Sequence, residues 1–209
     1  MLRALVGIAT ISGLLVVLVY QATLPIIAEN QRLRTEHAVF QVIPGAVAKR
    51  DFVIADGRLV PPGEGVVGTP VYAAFDAAGA LKGVAFPGAA QGYAGVIEFL
   101  FGYDPGCECI VGSRVLKSTE TPGLGDKIEK DPAFLENFRA LDARLSADGS
   151  GLANPIVTVK HGTKTEPWQI DAVSGATISS KAMGRAADQA AQVVVPAVAR
   201  SLDLLVAQP

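Results

Sequence analysis

Val71-Tyr72-Ala73-Ala74-Phe75-Asp76-Ala77-Ala78-Gly79-Ala80-Leu81-Lys82-Gly83-Val84-Ala85-Phe86 decides the fold. Aromatic and β-branched residues run up to an Asp-Ala-Ala-Gly turn and resume beyond it, which predicts strand, turn, strand. Residues 97–116 repeat the plan. Tyr103-Asp104-Pro105-Gly106 is the turn, and Cys109-Ile110-Val111-Gly112-Ser113-Arg114-Val115-Leu116 is the returning strand. Two successive hairpins imply a curved antiparallel meander rather than a parallel sheet. Downstream, Asp131-Pro132 is an N-cap and first-turn pair. Phe134, Phe138, Leu141 and Leu145 then recur at helical spacing, which predicts a core-facing helix over 131–145. Residues 154–161 read as a further strand. Met183, Ala187, Ala190, Val194, Ala197 and Val198 predict a C-terminal helix, with Pro196 as the place for a bend. The soluble part is expected to be one α+β domain.

Half of the 209 residues are hydrophobic, more than a purely soluble domain needs, and the excess has an address. Residues 4–28 carry no charge, and their polar side chains are Thr10, Ser12, Tyr20, Gln21 and Thr23. A spanning helix needs about 20 apolar residues, so this stretch reaches across a bilayer. A cleaved signal peptide is the rival reading. Against it, the run is longer than a signal core and its small-x-small sites are poor. Residues 1–28 are therefore expected to be a transmembrane anchor, 29–45 a helical linker broken at Pro44-Gly45, and 46–209 the soluble domain. Arg3 stands at one end of the span and Arg32 and Arg34 at the other, so positive charge does not choose a side. The formal net charge is −2, with Lys and Arg scattered. Nucleic-acid binding needs a basic stripe and is excluded as a function class.

Chemistry is concentrated in Asp171-Ala172-Val173-Ser174-Gly175-Ala176-Thr177, just ahead of the C-terminal helical pattern. Small residues let a backbone approach a ligand closely, and a helix start offers unpaired N–H groups to a phosphate. Two further loops keep it company: Gly92-Tyr93-Ala94-Gly95, and Glu120-Thr121-Pro122-Gly123-Leu124-Gly125-Asp126-Lys127. Read alone, the second is a Pro-Gly turn.

The anchor, Ile27-Ala28-Glu29-Asn30-Gln31-Arg32, Gly92-Tyr93, the Glu-Thr-Pro-Gly-Leu-Gly loop and the Ser-Gly-Ala-Thr loop occur in that order. Together they resemble the FMN-binding domain of the G subunit of Rnf-type ion-translocating electron-transport complexes. The C subunit of the sodium-translocating NADH:quinone reductase is the close relative. The resemblance implies FMN esterified through its phosphate to Thr177, attached by a separate flavin transferase that uses FAD and magnesium. It implies a single-pass protein of the cytoplasmic membrane, embedded in lipid beside other membrane proteins of the complex, with the soluble domain on the extracytoplasmic side. Ser174 is expected to donate a hydrogen bond, and Gly175 and Ala176 to let the chain pass close to the phosphate. Glu120, Thr121, Gly123 and Leu124 would form the other wall of the site, with Lys181 and Trp168 as neighbours. Asp171 either belongs to the motif that the transferase reads or caps the loop through local N–H groups. The function expected is electron relay within an ion-translocating ferredoxin:NAD oxidoreductase complex. The alternatives are a component like the C subunit of the quinone reductase and an anchored FMN-binding sensor or assembly module.

Cys107 and Cys109 are too few for a four-ligand zinc or iron–sulfur site. Free or disulfide-linked turn cysteines are the default, and a metal shared with a partner protein is the sharper alternative. His37 and His161 show no ligand spacing and no nucleophile pattern nearby. No glycine-rich nucleotide fingerprint follows a strand, which argues against NADH binding to this chain.

Overall fold

The computed structural model describes residues 1–206; residues 207–209, the end of the domain expected over 46–209, lie outside the described residues. The chain divides into two units, Met1–His37 and the residues from Ala38 onward. The first is the greater part of helix α1 (Leu2–Val42), which continues through Pro25. Its apolar stretch is long enough to cross a membrane once and is wholly exposed. The two threonines of this stretch are satisfied locally: Thr10 Oγ1 donates to Val6 O (2.8 Å) and Thr23 Oγ1 to Val19 O (2.9 Å). Such back-bonding keeps hydroxyls compatible with lipid.

The second unit is built on a seven-stranded sheet in the order β2-β1-β3-β4-β5-β6-β7, antiparallel throughout. The strands are β1 (Ala48–Ala55), β2 (Arg58–Val60), β3 (Thr69–Phe75), β4 (Leu81–Gln91), β5 (Val96–Asp104), β6 (Cys109–Lys117) and β7 (Leu141–Asp142). The expected meander is its centre, β3 to β6. Short helices α2 (Lys127–Lys130) and α3 (Pro132–Leu135) follow β6, then a 3-10 turn over Glu136–Phe138. Strands β8 (Val157–Val159) and β9 (Gln169–Asp171) form a separate parallel pair, and α4 (Thr177–Arg200) and α5 (Leu202–Val206) close the fold.

Alternation along the strands sends two unlike sets of side chains to the two faces. Phe86, Phe99 and Phe101 are fully buried under α4, with Phe101 5.8 Å from each of the other two rings and 6.1 Å from Phe138. Burial of each such side chain contributes about 1.5–3 kcal/mol. The opposite face carries Ala74, Ala85 and Leu100 and is packed by Ala38, Val39, Val42 and Ile43. Backbone approaches closely there: a Cβ on Gly102 or Gly112 would lie 2.2 or 2.4 Å from Val42 O.

The helix expected over 131–145 is much shorter. Asp131 caps it as anticipated, accepting from Ala133 N–H (3.0 Å), but regular turns end at Phe138. Leu141 pairs with Ile110 on β6 instead, and Leu145 bridges to Leu152. Phe134, Phe138 and Leu141 are nonetheless buried as expected. The open edge of β6 offers unpaired ladder groups to this segment, and pairing there leaves Leu141 in the core. Likewise, the strand expected over 154–161 contracts to Val157–Val159 and pairs in parallel with β9.

Candidate functional site

Three loops meet beside the start of α4. The β4–β5 turn is closed by Gly92 N–H donating to Gly95 O (2.8 Å). The loop after β6 contains a tight turn in which Leu124 N–H donates to Thr121 O (3.1 Å). Pro122 and Gly123 are its central residues, and Gly123 has φ +80°, the left-handed value that a type II turn requires at this position. The loop is thus a Pro-Gly turn whose corner residues, Thr121 and Leu124, line one cleft while Pro122 and Gly123 line another. The third loop, residues 172–176, ends at Thr177.

Glu120 ties the first two loops to the start of α4. It is only 7% exposed, and both carboxylate oxygens are engaged. Oε1 accepts from Ala94 N–H (2.8 Å) in the first loop, and Oε2 accepts from Ser179 Oγ (2.5 Å) in the first turn of α4. The carboxylate fits because two neighbours lack side chains: a Cβ on Gly92 would lie 2.7 Å from Oε1, and one on Gly125 2.3 Å from Oε2. The expectation that Glu120 lines the site was legible; its bond to Ser179 was not, since nothing in the motif marks that serine.

The loops enclose a cleft of about 370 Å³ whose lining includes Tyr93, Glu120, Thr121, Leu124, Gly175, Ala176 and Thr177. Its rim is apolar and open to solvent, with Tyr93 73%, Leu124 54% and Ile178 49% exposed. Thr177 is exposed and is the first residue of α4; the N-cap, Ala176, has no side chain to cap the helix. Ser180 N–H is the first to find a helical acceptor, Ala176 O (2.8 Å), so the N–H groups of Thr177, Ile178 and Ser179 have none within the helix. A hydroxyl, free amides at a positive helix end and an apolar rim suit a planar apolar ring joined to a phosphate.

A second groove, about 640 Å³, lies on the other side of the loop and has a charged lining that includes Asp126, Lys127, Lys130, His161 and Asp171. Ser174 and Gly123 face this groove and not the cleft. Lys127 Nζ donates to Ser174 O (3.5 Å). Lys130 pairs with Asp126 Oδ2 (2.5 Å), and that ammonium, with the Gly123 N–H on Oδ1 behind it, holds the Asp126 carboxyl below its usual range. Asp171 Oδ1 accepts from Gly162 N–H (2.7 Å), so it secures the β8–β9 connection rather than capping the loop that follows it. His161 is exposed and its Nδ1 lies 3.0 Å from Ala172 O.

Lys181 is placed elsewhere: it is exposed and lines a third groove with Pro155 and Arg185. Half-buried Trp168 lines neither the cleft nor the charged groove; its carbonyl accepts from Val157 N–H (3.3 Å). Cys107 and Cys109 are joined as a disulfide at the tip of the β5–β6 hairpin, and among the described residues no His/Cys/Asp/Glu cluster could hold a metal ion.

All three loops lie within residues 92–192, which the family model of an FMN-binding domain matches. The chain is 30% identical to the G subunit of the ion-translocating oxidoreductase complex of Methanosarcina acetivorans, over 86% of this chain and 85% of that one. To the protein of the same name from Cereibacter sphaeroides it is 35% identical, covering 83% and 73%. The Shewanella amazonensis protein is also 35% identical, over 59% of this chain and 58% of its own length. The chain belongs to the family of G subunits of ion-translocating oxidoreductase complexes. It is a membrane-anchored FMN electron-transfer protein of that family. Its fold is similar to the crystal structure of Shewanella oneidensis NqrC, with TM-score 0.55 and 22% identity, covering 77% of this chain and 84% of that one. The C subunit of the Na(+)-translocating NADH-quinone reductase from Parabacteroides distasonis gives 0.53 and 21%, covering 81% of each.

Proposed function

We propose that this chain carries FMN as a phosphoester on Thr177 and relays electrons within an Rnf-type ion-translocating complex, its soluble domain on the extracytoplasmic side. The observation that carries this reading is the exposed Thr177 hydroxyl at the uncapped start of α4, beside a cleft with an apolar rim. Attachment from FAD by a flavin transferase would form one P–O bond to Thr177 Oγ, release its proton and expel AMP. Thr177, Ile178 and Ser179 would present their N–H groups to the one charge left on the diester. Tyr93, Leu124 and Ile178 would cover the ring and exclude water from its faces, while Glu120 fixes the loops that carry them. Bound FMN supplies the reversible electron chemistry, and the protein supplies position and electrostatics. A covalent tether suits a compartment in which dissociated flavin would not be replaced. The relatives named above favour the G subunit over a role like that of the quinone reductase's C subunit, for which fold similarity is the support.

Co-expression with a flavin transferase and intact-mass measurement test the assignment. The full chain should gain one FMN, fluorescent in a denaturing gel, and Thr177→Ala should lose it completely. Denaturation-resistant flavin retained by that variant would place the tether elsewhere.

A further inference from the structure

Glu120 is a buried carboxylate with two neutral partners, a backbone amide and a serine hydroxyl, and it forms no ion pair among the described residues. Loop closure alone does not require a charge in this place. A neutral acceptor would satisfy Ala94 N–H and Ser179 Oγ at less desolvation cost, because burying an unpaired ion is far more expensive than burying a hydrogen-bonded amide. The charge sits in the wall of the cleft beside Thr177 and the positive end of α4, while the Lys127 ammonium lies across the loop on Ser174 O.

Taking the FMN reading of this cleft as given, we infer that Glu120 is a positioning and tuning residue whose fixed negative charge lowers the reduction potential of the flavin held there. Reduction brings electrons to the ring, and a carboxylate in the same low-dielectric wall opposes the gain of negative charge. Ser179 moderates the effect. Its hydroxyl donates to Oε2, draws the charge towards the helix and links it to the turn that bears Thr177. One carboxylate thus sets both how two loops meet the start of α4 and the electrical environment beside it.

The two residues give opposite signs. In the full chain carrying FMN, Glu120→Gln keeps an acceptor for Ala94 N–H and removes the charge. Ser179→Ala keeps the charge and removes its donor. Spectroscopic redox titration at one fixed pH should show Glu120→Gln favouring reduced flavin about tenfold at fixed poise. For a two-electron couple that is a rise of about 30 mV. Ser179→Ala should move the potential the other way. Simple loosening of the cleft would drive both variants in one direction, and that result, or an unchanged potential in Glu120→Gln, overturns the inference. Where Glu120→Gln does not fold, Ser179→Ala decides alone: a fall supports the inference, and no change or a rise overturns it. Intact mass is read first on the unsubstituted chain. Absence of an FMN adduct there defeats the functional reading itself, whereas an adduct with potentials of the wrong sign defeats only the role of Glu120.

Discussion

The clefts on either side of residues 174–177 share a wall and differ in almost everything else. The smaller has an apolar rim of Tyr93, Leu124 and Ile178 around the Thr177 hydroxyl, and its one carboxylate is turned inward on protein donors. The larger has both signs of charge on its surface, much of it paired at short range, as in Lys130 with Asp126. Size therefore does not identify the site. A ring with a phosphate handle needs apolar cover and free N–H groups, and the smaller cleft combines them. The glycine-rich loop from Glu120 to Gly125 borders both, so single substitutions along it separate what each side requires.

Gly125→Ala should have the largest effect on stability. The new Cβ would lie 2.3 Å from Glu120 Oε2 and 2.8 Å from Glu120 Cβ, and Gly125 is buried. Overpacking of this kind costs about 1–3 kcal/mol, which for a chain of this size lowers Tm by roughly 4–8 °C near the middle of that range. Thermal melts of the detergent-solubilised chain measure it, and an unchanged Tm would mean that the carboxylate is not held as described. Gly123→Ala, on the groove side, has open space around the new methyl. Its cost is the left-handed backbone at φ +80° alone, about 1 kcal/mol. If Gly123→Ala proved the more damaging of the two, packing around Glu120 would not be the stronger constraint on this loop.

How much of this was legible follows from what each residue's signal depends on. The β3–β6 meander could be read because alternating apolar residues and Asp/Gly or Pro/Gly turns are local features. Asp56-Gly57 is the same kind of signal. Both residues have positive φ (49° and 72°) and join β1 to β2, and an Asp-Gly pair between apolar runs is sufficient to predict such a hairpin. The helix over 131–145 fails because the spacing of Phe134, Phe138 and Leu141 fits a helix and also fits a turn followed by an edge strand. A partner distant in sequence, β6, made the choice. The loops of the site could be found as motifs, whereas their wiring could not. Ser179 is one of several small residues at a helix start, and only the fold brings it to a glutamate 59 positions away. Lys181 illustrates the converse: proximity in sequence to Thr177 says little about which groove a helical side chain lines.

Acid titration gives the smallest effect and separates the two sides most finely. Asp126 holds the groove side of the loop, accepting Gly123 N–H on Oδ1 (2.6 Å) and the Lys130 ammonium on Oδ2. Its folded pKa is below the ordinary value of 3.8, with the Lys130 bond as the main cause. The stabilisation it gives is therefore fully present above the unfolded pKa and is lost as pH falls through the folded one. As pH falls below 3.8 and through the folded pKa, the Gly123 amide resonance should move and its exchange protection should fall. Asp126→Asn should flatten that response. The loop around Asp148 is an internal reference, since hydrogen bonds from Ser146 and Ser150 lower that carboxyl to about 2. Its amides should keep their positions to lower pH than Gly123 does. A Gly123 amide that shifts together with the Asp148 loop would show acid acting on the whole domain. Movement of Gly123 first would show that its turn is secured through the charged groove, independently of the carboxylate on the other side.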